Sequence, residues 1–409
     1  MAFNGEIYEI FSWLPPKLLY QLSSTSKPCS EFLSEFGFVE KQCRNSLIKP
    51  EEYVLIQDDF KLHGTPEYLQ LCALDDKTPS SSNSISRVLK ENDRVIASSN
   101  GLLLCITADH TKVTRLFLCN PTTKDLTYIE LPSEEIIEGK NINLNIAWMN
   151  FICGKNYGDK NSKFPLDYTI LLFNTYTWSN YRDVYVIDGD DNWVLKMEDL
   201  YIGPGNVDFQ RPVHGIDGIY FLSDAGFMER NKNNRSITPY YVLHYDIQHG
   251  TSKILGLPDE VQNIKDLNHI KIGIFGWEKS NVDPSCFRSI YLVKVEFSEI
   301  ISIWTLDLGL KDRTEASWKE SLVMNKSIIH DLGIKDSIPW LPSFAIIEKN
   351  LIIGAEEYIY SYSLDKKVSN LRRISKIKDT LGAPIKFDGY SSTLRPCNKD
   401  TIRSLCRVI

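Results

Sequence analysis

One motif recurs along most of this chain: an apolar run of strand length, a loop, then a second strand that ends on Asp or Asn just before a turn. The second strands are LQLCALD to Asp75, RLFLCN to Asn120, DVYVID to Asp188, YYVLHYD to Asp246, ISIWTLD to Asp307 and YIYSYSLD to Asp365. Their last residues are 45, 68, 58, 61 and 58 apart. The first strands are YVLIQ from Tyr53, GLLLCI from Gly101, YTILLF from Tyr168, GIYFL from Gly218, IKIGIF from Ile270 and LIIG from Leu351. A unit this small cannot bury both of its faces alone, whereas six of them packed around a ring can. Repeats of roughly 40–50 residues or a little more, made of short strands and Asp/Asn turns, predict a β-propeller. Residues 51–409 divided by six give about 60 residues per unit, so some loops must be long. Two stretches supply that length, 153–167 (CGKNYGDKNSKFPLD) and 225–239 (AGFMERNKNNRSITP), both rich in polar residues and expected at the surface.

Ahead of the repeat the periodicity is helical. Ile7, Ile10, Phe11 and Leu14 follow i, i+3, i+4, i+7 spacing, and Cys29, Phe32, Leu33 and Phe36 repeat it. Pro15 and Pro16 end the first helix and start the second, whose apolar positions are Leu18, Leu19 and Leu22. Pro28 suits the first turn of the third helix and Gly37 its C-terminal cap. Val39, Cys43 and Leu47 extend the bundle by one helix, up to Lys49-Pro50. So small a bundle cannot hide this many apolar residues internally, and the surplus implies a partner. The expected organisation is a helical module at 1–47, a hinge at 48–52, the strand-rich domain at 53–396 and a tail at 397–409.

The first of these segments resembles an F-box of the plant type. Glu9 to Pro15, EIFSWLP, looks like the family's E-I-L-S-R-L-P; Lys17, Leu19 and Leu22 fall where its second helix has basic and apolar residues; Ser26-Lys27 matches the S-K before its third helix. The chain differs at Ala2-Phe3, where Leu-Pro is usual, and at Cys29, where Trp is usual. The resemblance implies docking of a Skp-type adaptor, and through it a cullin-RING ligase, on Ile7, Ile10, Phe11, Leu14, Pro15, Leu18, Leu19 and Leu22. The strand-rich region resembles the plant F-box-associated domain, a relative of kelch propellers. Ser99-Asn100-Gly101-Leu102-Leu103 looks like its S-x-N-G-L, Asn120-Pro121-Thr122-Thr123-Lys124 like N-P-T-T-[RK], and Leu131-Pro132 like the L-P that closes the unit. Tyr390-Ser391-Ser392-Thr393-Leu394 is similar to Y-x-E-S-L, with Ser392 where Glu is usual. The implied fold is mainly β, a kelch-like β-propeller of about six blades preceded by a small all-α F-box bundle.

Charge and cysteine content narrow the partners. A net charge of −7 and a pI near 5.6 argue against a general nucleic-acid or acidic-membrane surface while leaving room for a local basic patch. No run reaches the ~18 apolar residues of a membrane span, and no secretory signal is visible, so cytoplasm or nucleus is the expected compartment. Nine cysteines without any C-x-x-C suit reduced, mostly buried thiols.

Candidate chemistry resolves into structure. Asp188-Gly189-Asp190-Asp191-Asn192 and Asp199 have the spacing of a calcium loop, but Trp193 stands where such a loop needs Gly, so a hairpin turn is expected. His244 and His249 lack a third ligand. The common nucleophile, phosphate-binding and zinc motifs are missing, and neither an enzyme activity nor a cofactor is expected. Trp193, Trp304 and Trp318 occupy repeat positions and read as core. Trp148, Trp178, Trp277 and Trp340, with Tyr181, sit beside loops and are the candidate anchors for a protein target. The function implied is substrate recognition for a Skp–cullin–F-box ubiquitin ligase. The alternatives are a propeller enzyme acting on a sugar or small metabolite, and an F-box-derived scaffold that recruits no cullin.

Overall fold

The computed structural model describes residues 5–48, 53–58, 69–74, 88–90, 93–109, 112–132, 148–153, 164–175, 180–189, 192–215, 218–224, 240–262, 270–277, 289–296, 301–307, 317–324, 343–348, 350–355, 358–364, 371–376 and 385–398. It is mainly β, with six sheets forming a six-bladed β-propeller behind a short helical segment. The first sheet holds β1 (Tyr53–Asp58), β2 (Leu69–Ala73) and β24 (Ile385–Tyr390), in the order β2-β1-β24. The second holds β3 (Asp93–Ser99), β4 (Leu102–Asp109), β5 (Lys112–Asn120) and β6 (Asp125–Ile129). The third holds β7 (Trp148–Cys153), β8 (Tyr168–Thr175), β9 (Tyr181–Asp188) and β10 (Val194–Tyr201). The fourth is built on β13 (Ile219–Asp224), β14 (Tyr241–Asp246) and β15 (Thr251–Gly256), with the short β11 (Asn206–Val207) and β12 (Val213–His214) both on β13. The fifth holds β16 (Ile270–Trp277), β17 (Ser289–Glu296), β18 (Ile301–Asp307) and β19 (Ser317–Met324). The sixth holds β20 (Ser343–Ile347), β21 (Asn350–Ala355), β22 (Tyr358–Ser363) and β23 (Leu371–Lys376). The chain divides into two compact units, one of residues Met1–Leu172, Tyr185–Leu195 and Lys386–Ile409, the other of Phe173–Val184 and Lys196–Ile385.

Both faces of the central strands are buried, which explains their continuous apolar runs. In the first unit, Leu102, Leu104 and Ile106 of β4 enter a core with Phe151, Ile170 and Tyr185, while the alternate residues Leu103 and Cys105 enter another with Leu55, Phe117 and Tyr390. In the second unit β17 does the same. Ile290 and Leu292 join Tyr220, Val242 and Trp304, and Tyr291 and Val293 join Phe344, Ile346 and Leu351. The sequence pattern pairs the strand at Ile270 with the one ending at Asp307, but β17 lies between them and hydrogen-bonds to both. Lys294 and Glu296 interrupt its apolar run, and they meet each other as an ion pair. Outer strands such as β10, β15 and β23 are mostly exposed or half-exposed and carry no such run.

The closing Asp and Asn residues act through their side chains. Asn120 Oδ1 accepts the backbone N–H of Thr122 at 2.9 Å, and Asp246 Oδ1 accepts those of Gln248 at 2.8 Å and His249 at 3.0 Å. Each turn then closes on a residue of positive φ, Lys124 at 59° and Gly250 at 67°. The two ends of the strand-rich region share one sheet, because β24, near the end of the chain, hydrogen-bonds β1, just after the helices. Six of the seven cysteines among the described residues are buried and free, as expected, Cys29 being half-exposed.

The helical segment has α1 (Gly5–Ser12), α2 (Pro16–Ser23), α3 (Lys27–Leu33) and α4 (Phe36–Ile48). The Pro15-Pro16 break falls between α1 and α2, and Ser26 caps α3 by accepting the Cys29 N–H at 3.4 Å. Gly37 does not cap α3; it lies in the first turn of α4, where an added Cβ would stand 3.1 Å from the Tyr8 hydroxyl oxygen of α1. A close helix approach, not a helix end, is what a small residue serves there.

Candidate functional site

The helices separate their apolar residues into two sets. Leu19, Phe32, Leu33, Phe38, Val39 and Cys43 form a buried core joined by Phe164 and Leu394 from the strand-rich region, with Tyr8, Phe11, Leu14 and Leu22 packed at its margin. Ile7, Ile10, Trp13 and Leu18 remain outside, Ile10 with 61% of its surface in water. Of the expected adaptor-contacting residues, Ile7, Ile10 and Leu18 are therefore exposed, and Phe11, Leu14, Pro15 and Leu22 are half-buried. Leu19, at 1% exposure, belongs to the core and cannot present its side chain to a partner. Helical geometry decides this, since Leu18 and Leu19 are a hundred degrees apart around the axis and only one can face Phe32.

Polar contacts lock α1 onto α4. Asn45 Nδ2 donates to the buried Ser12 hydroxyl at 2.8 Å, and that hydroxyl donates to the Glu9 carbonyl at 2.7 Å. Lys41 pairs with the Glu9 carboxylate, which also accepts from Trp13 Nε1 at 3.1 Å. The hydrogen bond from Lys41, and after it that from Trp13, hold the Glu9 carboxyl below its ordinary range. Trp13 is thereby fixed beside Ile10. It was not singled out in the sequence, although it lies one helical turn on from Ile10.

Three of the sequence motifs, separated by up to almost three hundred residues, meet in one buried node. Asn120 Nδ2 donates to the carbonyls of Thr393 at 3.1 Å and Arg395 at 2.7 Å. Thr122 and Tyr390 share a hydroxyl contact of 3.1 Å, and Thr393 Oγ1 donates to the Asn100 carbonyl at 3.2 Å. Gly101 (φ 77°) leaves no room for a side chain, because a Cβ would lie 2.0 Å from Thr393 Oγ1. The chain continues past Pro396 in the same fashion. Cys397 N donates to Asp125 Oδ2 at 2.6 Å and Asn398 Nδ2 to Thr127 Oγ1 at 2.6 Å, so packing does not stop where a tail was expected.

Arg395 is the largest fully buried side chain among the described residues. Its guanidinium donates to the Pro165 carbonyl at 3.0 Å, pairs with the buried Asp167 carboxylate and lies 5.1 Å from the centre of the Phe164 ring. The end of the 153–167 stretch, expected as surface loop, is therefore core, with Phe164 and Leu166 buried. Burial pushes the Cys153 thiol up to about 12 and the Cys43 thiol higher still, while the positive charge of Arg395 pulls both down. These thiols are structural.

The aromatics expected to contact a target are scattered. Trp148 opens β7 and is half-buried, and Trp277 ends β16. Trp178 and Trp340 lie outside the described residues. Tyr181 is exposed and meets Tyr201 with ring centroids 5.5 Å apart. The Ser252 hydroxyl donates to the Tyr201 carbonyl at 2.7 Å, placing exposed Ile254 of β15 on the same stretch of surface. Tyr201 and Ile254 thus extend the patch that Tyr181 alone indicated; a side-chain hydrogen bond between strands of two different sheets brings them together. The repeat-position tryptophans act as clips, Trp193 Nε1 donating to the Glu130 carbonyl at 2.7 Å and Trp318 Nε1 to that of Gly256 at 2.7 Å. Among the described residues no group of His, Cys, Asp and Glu has the arrangement of a metal site.

No family model matches the chain, and no curated protein matches it. Among solved structures it is similar to YCF48 from Cyanidioschyzon merolae, at 12% identity over 80% of this chain and 86% of that one, with a TM-score of 0.35. It is also similar to a post-proline cleaving enzyme from Rickettsia typhi, at 10% identity and a TM-score of 0.36, over 92% of this chain but only 61% of the enzyme's length. Neither likeness bears on activity.

Proposed function

We propose that this chain is the substrate-recognition subunit of a Skp–cullin–F-box ubiquitin ligase, docking the adaptor on its helical segment and a target protein on its propeller. The observation that carries this reading is the exposed set Ile7, Ile10, Trp13 and Leu18 on the first two helices and the turn between them, which the bundle does not need for its own core. An unneeded apolar surface of this kind fits a partner. The segment resembling an F-box supplies the partner's identity, and the propeller offers sheets with loops on which a target site can be built. The chain performs no bond chemistry in this reading. It acts by holding two proteins at once, which raises the effective concentration of the target's lysines beside the conjugating enzyme.

Ile10→Asp tests the reading. Burying an unpaired carboxylate in an interface costs on the order of several kcal/mol, so adaptor co-purification is expected to fall at least tenfold with the fold intact. Equal adaptor recovery with both proteins overturns the docking surface. Recovery of neither adaptor nor cullin, with no turnover of a small substrate, selects the scaffold alternative, for which Ala2-Phe3 and Cys29, in place of the family's Leu-Pro and Trp, are the favouring features. Turnover of a small substrate without either partner selects the enzyme.

A further inference from the structure

The outer edge of the sixth sheet carries charge of the opposite sign to the whole chain. β23 (Leu371–Lys376) has Arg372, Arg373 and Lys376 and no acidic residue, in a protein of net charge −7. Among the described residues β23 ends its sheet, in the order β20-β21-β22-β23. Arg373 and Lys376 are three residues apart, so a regular strand would place them on opposite faces. A bulge at Ile359/Tyr360 absorbs the extra residue, and the register becomes Tyr358↔Lys376 and Tyr360↔Arg373. Both cations consequently stand over one ring. Arg373 Cζ is 4.6 Å and Lys376 Nζ 5.9 Å from the centre of Tyr358, which packs edge-on to Tyr360 at 6.3 Å. Both basic side chains are exposed.

We propose that this edge docks an extended acidic peptide segment, added to β23 as a further strand with its carboxylates on Arg373 and Lys376. An edge strand offers main-chain hydrogen bonds to an extended peptide, and the side chains beside it read charge. Basic residues on an edge also deter pairing between copies of a protein. That role requires neither a shared face nor an aromatic ring beneath the charges. Nucleic acid is disfavoured because its affinity comes from neutralising many phosphates over a wide basic surface, and the overall charge here is negative. The inference is independent of adaptor docking.

The test uses the full chain and a fluorescent peptide of alternating glutamate and valine, with the lysine–valine peptide, a glutamate–proline peptide and a single-stranded oligonucleotide as comparisons. The glutamate–valine peptide should bind, and more weakly as salt is raised. Arg373→Glu with Lys376→Glu should weaken it by about tenfold or more. Arg373→Gln with Lys376→Gln should weaken it less and leave the melting midpoint unchanged, which separates lost binding from lost fold. The glutamate–proline peptide keeps the charge but lacks half of the strand's N–H groups and should bind poorly. Equal binding of the glutamate and lysine peptides, undiminished binding by both variants, or tighter binding of the oligonucleotide overturns the proposal. Undiminished binding of the glutamate–proline peptide overturns strand addition.

Discussion

Helix α1 and the segment 391–398 belong to the same compact unit, yet α1 and the turn after it leave Ile7, Ile10 and Trp13 in water while 391–398 takes Thr393 and Arg395 out of it. The two regions invert the usual sorting of side chains, and each inversion has its own physical account. Apolar groups left in water cost little for folding and become useful when a partner covers them. Polar groups taken out of water are tolerated when most of their hydrogen bonds are met, and the node around Asn120, Asp125, Asp167 and Arg395 meets many of them. Changes at the node should therefore unfold, and changes on α1 should unbind.

The sharpest break of that contrast is Asp167→Ala. It leaves the Arg395 charge buried without its partner, and removal of one member of a buried pair costs about 3–5 kcal/mol. Denaturant unfolding should show that loss, and replacing Arg395 by Met in the same protein should restore much of it. A loss below about 1 kcal/mol would mean that water reaches the guanidinium and that the node is no more buried than α1. Gly101→Ala comes next, with a strained positive φ worth about 1 kcal/mol in addition to the clash with Thr393. Adding Thr393→Gly should relieve the clash and leave the φ strain, a partial recovery visible in the melting midpoint.

Asn120→Ala is expected to be milder, at about 1–3 kcal/mol, since two carbonyls lose a donor but no charge is stranded. The smallest effect on stability belongs to Ile10→Asp, expected within about 0.5 kcal/mol of the parent, as for exposed positions in general. Its effect should appear in adaptor capture instead. Should Ile10→Asp lower the unfolding free energy as much as Asn120→Ala, the exposed set on α1 would be part of the fold and the contrast would collapse.

The central strands were mostly readable because strands buried on both faces cannot avoid an apolar run, as in β4, β8 and β14, whereas β17, its run interrupted by Lys294, was missed. Outer strands were not, because with one or both faces exposed their residues carry no periodic signal; β10 reads VLKMEDLY and β23 LRRISK. Turn residues were readable one at a time. Asn100-Gly101, Asn120 and Tyr390 each showed as local punctuation, but that they touch was invisible. Arg395 and Asp167 gave no signal at all, for a charged residue in a loop is expected at the surface.

What the sequence determined by itself is therefore what short range can decide: helices broken at Pro15-Pro16, central strands, and Asp/Asn turns whose side chains bond to backbone two or three residues on. The tertiary structure alone decided that Leu19 is core and Leu18 surface, that β24 pairs with β1, and that the arginine at 395 is fully buried. Each of those outcomes depends on a neighbour supplied from elsewhere in the chain. Burial is a property of the neighbours and not of the residue, so no local pattern can carry it.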